Sequence, residues 1–267
     1  TPRGGSLLIR IRHPEDMPYL TAAGERVLRE HPVPPERKTR PSDGGVWLIH
    51  HGRKADILGV ELPPGRRLCV KFIHDHRPRV WLRTLAGLGR ARAAYRRGLR
   101  LERAGIRGPR ALGFMERRPF GPSIFLMELL DRHETVRDRL GRLRARADSG
   151  NPEIRALARS LGRYVGLLHR RGVSHKDLTI KNLLLPTDTT DLDFVLIDFE
   201  DLRFPFPRLD KRTRYRTLWK LGWSVKDLPA REQLRFLRHY LLAIGEPPRA
   251  APFARELLRR WGDKMRE

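Results

Sequence analysis

The hydrophobic period of this chain changes once, near Leu130, and that change limits what it can fold into. Upstream, short apolar runs alternate with turn residues. Runs over 46–49, 57–62 and 68–73 read as three strands, with turns at His51-Gly52-Arg53-Lys54 and Pro63-Pro64-Gly65 between them. A helix over 81–104 carries Leu88, Tyr95 and Leu99 on one face and stops at Gly105-Ile106-Arg107-Gly108-Pro109. Two more strands follow, over 111–115 and 123–128. Downstream, Leu157, Leu161, Tyr164, Val165 and Leu168 fall on one helical stripe. So do Leu234, Leu237, Tyr240, Leu241 and Ile244, and then Phe253, Leu257 and Trp261. A strand-rich half before a helix-rich half is an α+β arrangement. It predicts two lobes, 1–128 and 129–267, with a boundary at Leu129-Leu130-Asp131. Residues 1–45 are rich in proline and charge, and only a short helix around 21–30 is expected there.

The helix ending at Leu168-His169 runs into His175-Lys176-Asp177-Leu178-Thr179-Ile180-Lys181-Asn182, followed by the apolar Leu183-Leu184-Leu185. An Asp followed five residues later by an Asn, with a strand behind them, suits phosphoryl transfer. Asp177 would orient an acceptor hydroxyl and take its proton; Asn182 would hold a metal ion on ATP. Sixteen residues on, Leu196-Ile197-Asp198-Phe199-Glu200 ends an apolar run on an acid. Asp198 is therefore the second expected magnesium ligand, since hard oxygen donors suit Mg2+. Lys71, flanked by Val70 and Phe72, would point by alternation into a cleft between the lobes and pair with ATP phosphates. His175 and His169 are expected to brace backbone rather than do chemistry.

Composition narrows the setting. Hydrophobic residues make up 39% and charged residues 33% of 267, a globular balance. No apolar run approaches the ~20 residues needed to cross a bilayer. Ser6-Leu7-Leu8-Ile9 is cut short by Arg10 and Arg12, unlike a secretory segment. The single cysteine, Cys69, excludes an internal disulfide and reads as a core strand residue. A reducing cytoplasm fits these features. The net charge is +25, and 47 of the 56 basic residues are Arg. Such a field attracts anionic glycolipids, anionic membrane surfaces or nucleic acid, and Arg binds phosphate bidentately. Aromatic residues interleave with basic ones only around 219–223, which argues against nucleic acid.

Lys71 in a strand, His175 to Asn182, and Ile197-Asp198-Phe199 together resemble the protein-kinase-like superfamily. Within it, the stretch Ala104-Gly105-Ile106-Arg107-Gly108-Pro109-Arg110-Ala111-Leu112-Gly113 and the stretch Arg214-Tyr215-Arg216-Thr217-Leu218-Trp219-Lys220-Leu221 are similar to the Kdo/WaaP-type lipopolysaccharide kinases. The resemblance implies a bilobal protein-kinase-like fold. Its N-lobe would be an antiparallel sheet plus one helix that binds nucleotide, and its C-lobe short and helical. It implies ATP and Mg2+ as cofactors and a lipopolysaccharide-core sugar hydroxyl, of heptose or Kdo, as acceptor. It also implies a cytoplasmic location with peripheral contact at the inner membrane. Glu128 to Leu130 would be the linker whose backbone meets the adenine.

The chain departs from that pattern in five places. No G-x-G-x-x-G loop covers the phosphates; Gly52, Arg53 and Lys54 are the expected substitutes. Thr179 stands where the superfamily has a lysine, and Glu200 where it has a glycine after Asp198-Phe199. Ala94 stands near the expected helix glutamate, leaving Glu102 as a candidate partner for Lys71. No Ala-Pro-Glu follows Asp198; Phe204-Pro205-Phe206-Pro207 leads directly into Arg208, Lys211, Arg212, Arg214 and Arg216, which suits an anionic acceptor. Two other readings stay open: a protein or small-molecule kinase on the same fold, and a pseudokinase module that binds anionic lipid or nucleic acid.

Overall fold

The computed structural model describes residues 7–31, 45–63, 65–74, 89–117, 122–146, 151–187, 189–205, 209–225 and 228–247. The expected helix start over 81–88 and the stripe at Phe253, Leu257 and Trp261 lie outside these residues. The chain divides into two compact units. The first is Thr1–Glu102 with Pro109–Asp131; the second is Arg103–Gly108 with Arg132–Glu267.

The first unit is built on a six-stranded antiparallel sheet. Its strands are β1 (Leu7–Ile11), β2 (Gly45–His50), β3 (Ala55–Leu62), β4 (Arg66–Ile73), β5 (Ala111–Arg117) and β6 (Ser123–Glu128), in the order β1-β5-β6-β4-β3-β2. Alternation sorts the side chains. Leu58, Val60 and Leu62 of β3, Leu68, Val70 and Phe72 of β4, and Ile124 and Leu126 of β6 share one buried face. Helix α1 (Met17–Glu30) covers that face with Leu20, Ala23 and Val27, each 2% exposed or less. Sequence reading expected a short helix around 21–30 and one further helix beside this sheet; the N-terminal helix starts earlier, at Met17, and β1 pairs along β5 as an edge strand. Its i, i+3, i+7 apolar triplet buries only because the sheet is there to receive it.

The opposite face carries Lys71. Ile57, Lys71, Phe125 and Phe114 stand in one cross-strand row. Helix α2 (Arg90–Arg103) packs on this side, with Tyr95 against Phe114 at 5.5 Å between ring centroids. Trp47 lies over Gly59, where a Cβ would collide with the indole, so only glycine fits there. Cys69 is fully buried and burial pushes its thiol up to about 12, an inert core residue as expected.

The second unit is mainly helical. Helices α3 (Val136–Arg146), α4 (Pro152–Arg170), α5 (Lys211–Ser224) and α6 (Ala230–Ile244) accompany short strands β7 (His133–Thr135), β8 (Ser174–His175), β9 (Leu183–Pro186), β10 (Val195–Leu196) and β11 (Leu202–Arg203). Asn151 caps α4 by accepting the Glu153 N–H at 2.8 Å. The helix ends in a Schellman motif: Val173 N–H bonds Leu168 O at 2.9 Å, Gly172 N–H bonds His169 O at 3.1 Å, and Gly172 takes φ +68°. Helices α4 and α6 pack closely because Gly162 and Gly166 leave room for the backbone of Phe236 and for Ala243. Among the described residues no helix is long and apolar enough to cross a membrane.

Between these helices His169, 3% exposed, shares a 2.9 Å hydrogen bond with the Tyr240 hydroxyl. Burial, then the charge of Arg214, pushes its pKa down to about 3. Between that value and about 6.5 the unfolded chain binds the proton and the folded chain does not. Stability contributed by this group is therefore complete above about pH 6.5 and falls by roughly 1.4 kcal/mol per unit as pH drops below it. Urea unfolding at pH 7 and pH 5 should give a difference of about 2 kcal/mol that His169→Gln removes from the profile. An identical pH slope in the variant contradicts this assignment.

Candidate active site

Local structure explains how residues 175–182 are held. The Schellman turn delivers the chain into β8, which pairs with β11 through Leu202–His175 and Arg203–Ser174. Lys176 N–H bonds Asp201 O at 2.8 Å. His175, 1% exposed, directs Nε2 at two carbonyl oxygens, Ile197 at 3.2 Å and Asp198 at 3.0 Å. Its Nδ1 accepts the Asp177 N–H at 3.3 Å, which leaves the proton on Nε2. His175 is thus the brace expected from sequence. It ties the loop bearing Asp177 to the turn bearing Asp198.

Asn182 closes the loop. Its Nδ2 donates to the Asp177 carbonyl at 2.8 Å, and its own N–H bonds Thr179 O at 3.0 Å. Next to it, β9 and β10 pair through Leu183–Leu196, and Ile197 N–H bonds Asn182 O at 3.1 Å. That ladder sets Asn182 beside Asp198 although sixteen residues separate them. Asp198 has φ +64° and ψ +64°, the only positive φ among described residues other than glycine. The left-handed region costs a non-glycine residue of order 1 kcal/mol, least for Asp and Asn. The strain sits where His175 grips the adjoining carbonyls, so the loop fixes the backbone that aims the carboxylate.

Helix α5 supplies a part that sequence reading missed. Thr217, Lys220 and Ser224 lie at i, i+3 and i+7, one face of the helix. They meet Ser174, Asp177 and Ile180 in order. Thr217 Oγ1 is 3.3 Å from Ser174 Oγ, Lys220 Nζ donates to Asp177 Oδ1 at 2.6 Å, and Ser224 Oγ accepts the Ile180 N–H at 3.2 Å. Thr179 removes the lysine that the superfamily keeps beside its catalytic Asp; Lys220 brings an ammonium to that carboxylate from 43 residues away. The only sequence signal was its place in the Arg214–Leu221 stretch. The basic residues Lys211, Arg212, Arg214 and Arg216 lie on the same helix, where Arg214 pairs with Glu246 at 3.4 Å.

The hard oxygen donors of Asn182 and Asp198 fit a divalent cation of the magnesium type. Asn182 commits its amide nitrogen to the loop, so its oxygen remains as the donor toward a metal. Asp177, Asn182 and Asp198 all belong to the second unit, and the structure gathers them on one loop-and-ladder arrangement.

Lys71, Gly52, Arg53, Lys54, Glu128 and Leu130 belong to the first unit. Lys71 is half-buried on β4. The Gly52 amide, expected to face phosphate, donates to Asp56 Oδ1 at 3.2 Å. Glu128 N–H bonds Arg110 O at 3.0 Å, and its carboxylate accepts the Arg110 N–H at 3.1 Å. Glu102, the candidate partner of Lys71, pairs instead with Arg12 at 2.7 and 3.1 Å. That geometry follows from β1, whose position sequence reading left unassigned. The buried carboxylate on the sheet face shared with Lys71 and α2 is Glu116, 0% exposed and 3.3 Å from Arg92.

A second surface lies between α4 and α6. Arg159, Arg163, Arg235, Arg238 and His239 line an open groove of about 510 Å³. Burial, then the four arginines, lowers the His239 pKa, so the groove is strongly positive.

Comparison with known proteins agrees with this architecture. A structure of WaaP in complex with acyl carrier protein superposes with a TM-score of 0.66 and 24% identity, covering 96% of this chain and 98% of that one. A rhoptry kinase from Toxoplasma gondii superposes at 0.51 with 11% identity, covering 84% and 81%. Both likenesses show a kinase-like fold. In sequence, 91 residues are 40% identical to the lipopolysaccharide core heptose(I) kinase WaaP of Pseudomonas aeruginosa, spanning 32% of this chain and 34% of that protein. A stretch of 57 residues is 44% identical to the EKC/KEOPS complex subunit bud32 of Aspergillus oryzae, 18% and 21% of the two chains. The chain thus matches about a third or less of the length of these relatives. The lipopolysaccharide kinase (Kdo/WaaP) family model matches residues 66–240, about two thirds of the sequence, and with the loop geometry above it makes this chain a member of that family.

Proposed function

We propose that this protein transfers the γ-phosphate of Mg-ATP to a hydroxyl of a lipopolysaccharide-core sugar, heptose or Kdo. The observation that carries the reading is the loop in which Asp177 is held by Asn182 and met by Lys220. Magnesium, when bound, shields phosphate charge; Asn182 and Asp198 are the residues that would hold it. Asp177 orients the acceptor hydroxyl and receives its proton. Lys220 orients Asp177, and its ammonium adds positive charge beside the reacting oxygens. Lys71 pairs with the phosphates, Arg53 and Lys54 add positive charge from the hairpin, and the backbone from Glu128 to Leu130 meets the adenine.

The acceptor is anionic, which the charge of +25 and the arginine groove favour. The same surface suits contact with an anionic inner-membrane leaflet. An acyl carrier protein, present in the related WaaP complex, is a second proposed partner. Purified protein, γ-labelled ATP and a panel of acceptors test the assignment. Magnesium-dependent transfer to core oligosaccharide, and none to general protein substrates, is the expected result. The reverse pattern overturns it. Within that assay, Lys220→Met should lower kcat by about 10- to 100-fold with little change in KM for ATP, and Lys220→Arg should restore part of it. Full activity in Lys220→Met removes this residue from the site.

A further inference from the structure

Outside the phosphoryl-transfer site, the first unit contains a second cluster of ligand-type side chains. His31 follows the last turn of α1, Asp56 is the second residue of β3, and His74 follows β4. His31 Nε2 lies 2.9 Å from Asp56 Oδ2, and His74 Nε2 lies 3.2 Å from the same oxygen. All three donor atoms fall within 4.8 Å of one another. The side chains are 13%, 7% and 15% exposed, so the group is largely withdrawn from water. Phe72 walls it: His31 stacks on that ring at 3.8 Å, and His74 meets its edge at 5.6 Å. The other carboxylate oxygen is held by the Gly52 N–H at 3.2 Å and by His51 Nδ1 at 2.8 Å, and His51 itself is exposed.

We propose that His31, Asp56 and His74 form a binding site for a divalent transition metal of the zinc class. Two imidazoles and one carboxylate are a borderline-soft donor set that suits zinc rather than magnesium. Zinc–nitrogen bonds of about 2.0–2.1 Å place tetrahedral donor atoms about 3.3 Å apart. The two nitrogen–oxygen spacings, 2.9 and 3.2 Å, need to open by only a few tenths of an ångström. A fourth position falls to water, while the exposed His51 reaches the other carboxylate oxygen. The outer contacts are built as metal sites require. Gly52 and His51 orient the carboxylate, and Phe72 supplies an apolar wall. An occupied site would clamp the end of α1, the β2–β3 hairpin and the end of β4 together. The Gly52–Lys54 turn would be fixed through the same carboxylate.

Metal uptake by the full chain tests this without reference to phosphate transfer, so failure here leaves the proposed function untouched. The protein is stripped with chelator, then titrated with zinc against a chromophoric competitor while its melting temperature is followed. One tight equivalent and a rise in Tm of about 5 °C or more at a hundredfold excess over Kd are expected. His31→Gln and His74→Gln should each abolish both effects, while His51→Ala should keep them. Cobalt(II) should give the visible bands of a four-coordinate site. Circular dichroism confirms that each variant is folded. If either glutamine variant does not fold, the wild-type titration decides alone. Zinc uptake by the wild type no greater than by the His31→Gln/His74→Gln double variant, or no retention by the wild type after gel filtration, overturns the site and leaves a hydrogen-bonded histidine cluster.

Discussion

Asp177→Asn should reduce kcat by about 10²–10⁴-fold while leaving Mg-ATP affinity and the fold unchanged. The loop is held through the Asp177 backbone, whose N–H bonds His175 and whose carbonyl accepts from Asn182. The side chain is half-exposed and meets Lys220. An amide of the same size keeps the loop and loses the proton acceptor. Stability should stay within about 0.5 kcal/mol of the wild type, because no buried group is left without its partner. Steady-state transfer and calorimetric ATP binding on the same preparation separate the two properties. Loss of ATP binding together with activity would mean that Asp177 is structural. Full activity would remove it as the base, whereas no transfer by the wild type itself would favour the pseudokinase or binding-module reading. That reading also predicts a steep salt dependence of binding that substitutions at Asp177 and Asp198 leave unchanged.

Asp198→Asn should raise the Kd for ATP in magnesium by roughly 10- to 100-fold, with no change when magnesium is chelated. Asparagine is the informative replacement because residue 198 takes φ +64°, and Asn tolerates the left-handed region nearly as well as Asp. Alanine would add backbone strain to the loss of a ligand and confuse the two. The variant should unfold at the wild-type denaturant concentration, since the His175 bonds run to carbonyls that remain. Equal loss of nucleotide affinity with and without magnesium would contradict a metal role. Asn182→Ala is a less clean test, because it also cuts the bond to the Asp177 carbonyl.

Much of the fold was legible because periodicity is local. The alternation in 57–62 and 68–73 decides which side chains face a core, and β3 and β4 extend those runs by only two residues each. The helical stripe from Leu157 to Leu168 becomes the buried face of α4. Asp177, Asn182 and Asp198 were legible for a related reason. Their spacing fits a loop, a strand and a return strand, and the β9–β10 ladder completes it. Residues 7–30 were the harder case. Their pattern is short and interrupted by charge, and a marginal amphipathic helix gains its stability from the surface that receives it. Glu102 was placed near Lys71 for want of knowing where β1 would put Arg12.

The sequence alone determined the strands over 57–62 and 68–73 and the helical stripe from Leu157 to Leu168, because each follows from residues within a turn or two of one another. Tertiary structure decided which distant groups share a site. It put the Lys220 ammonium on Asp177, gave the Gly52 amide to Asp56 and brought His31, Asp56 and His74 together. Spacing along the chain sets which face of an element a side chain occupies. Only the packing of that face against another element sets what the side chain meets there.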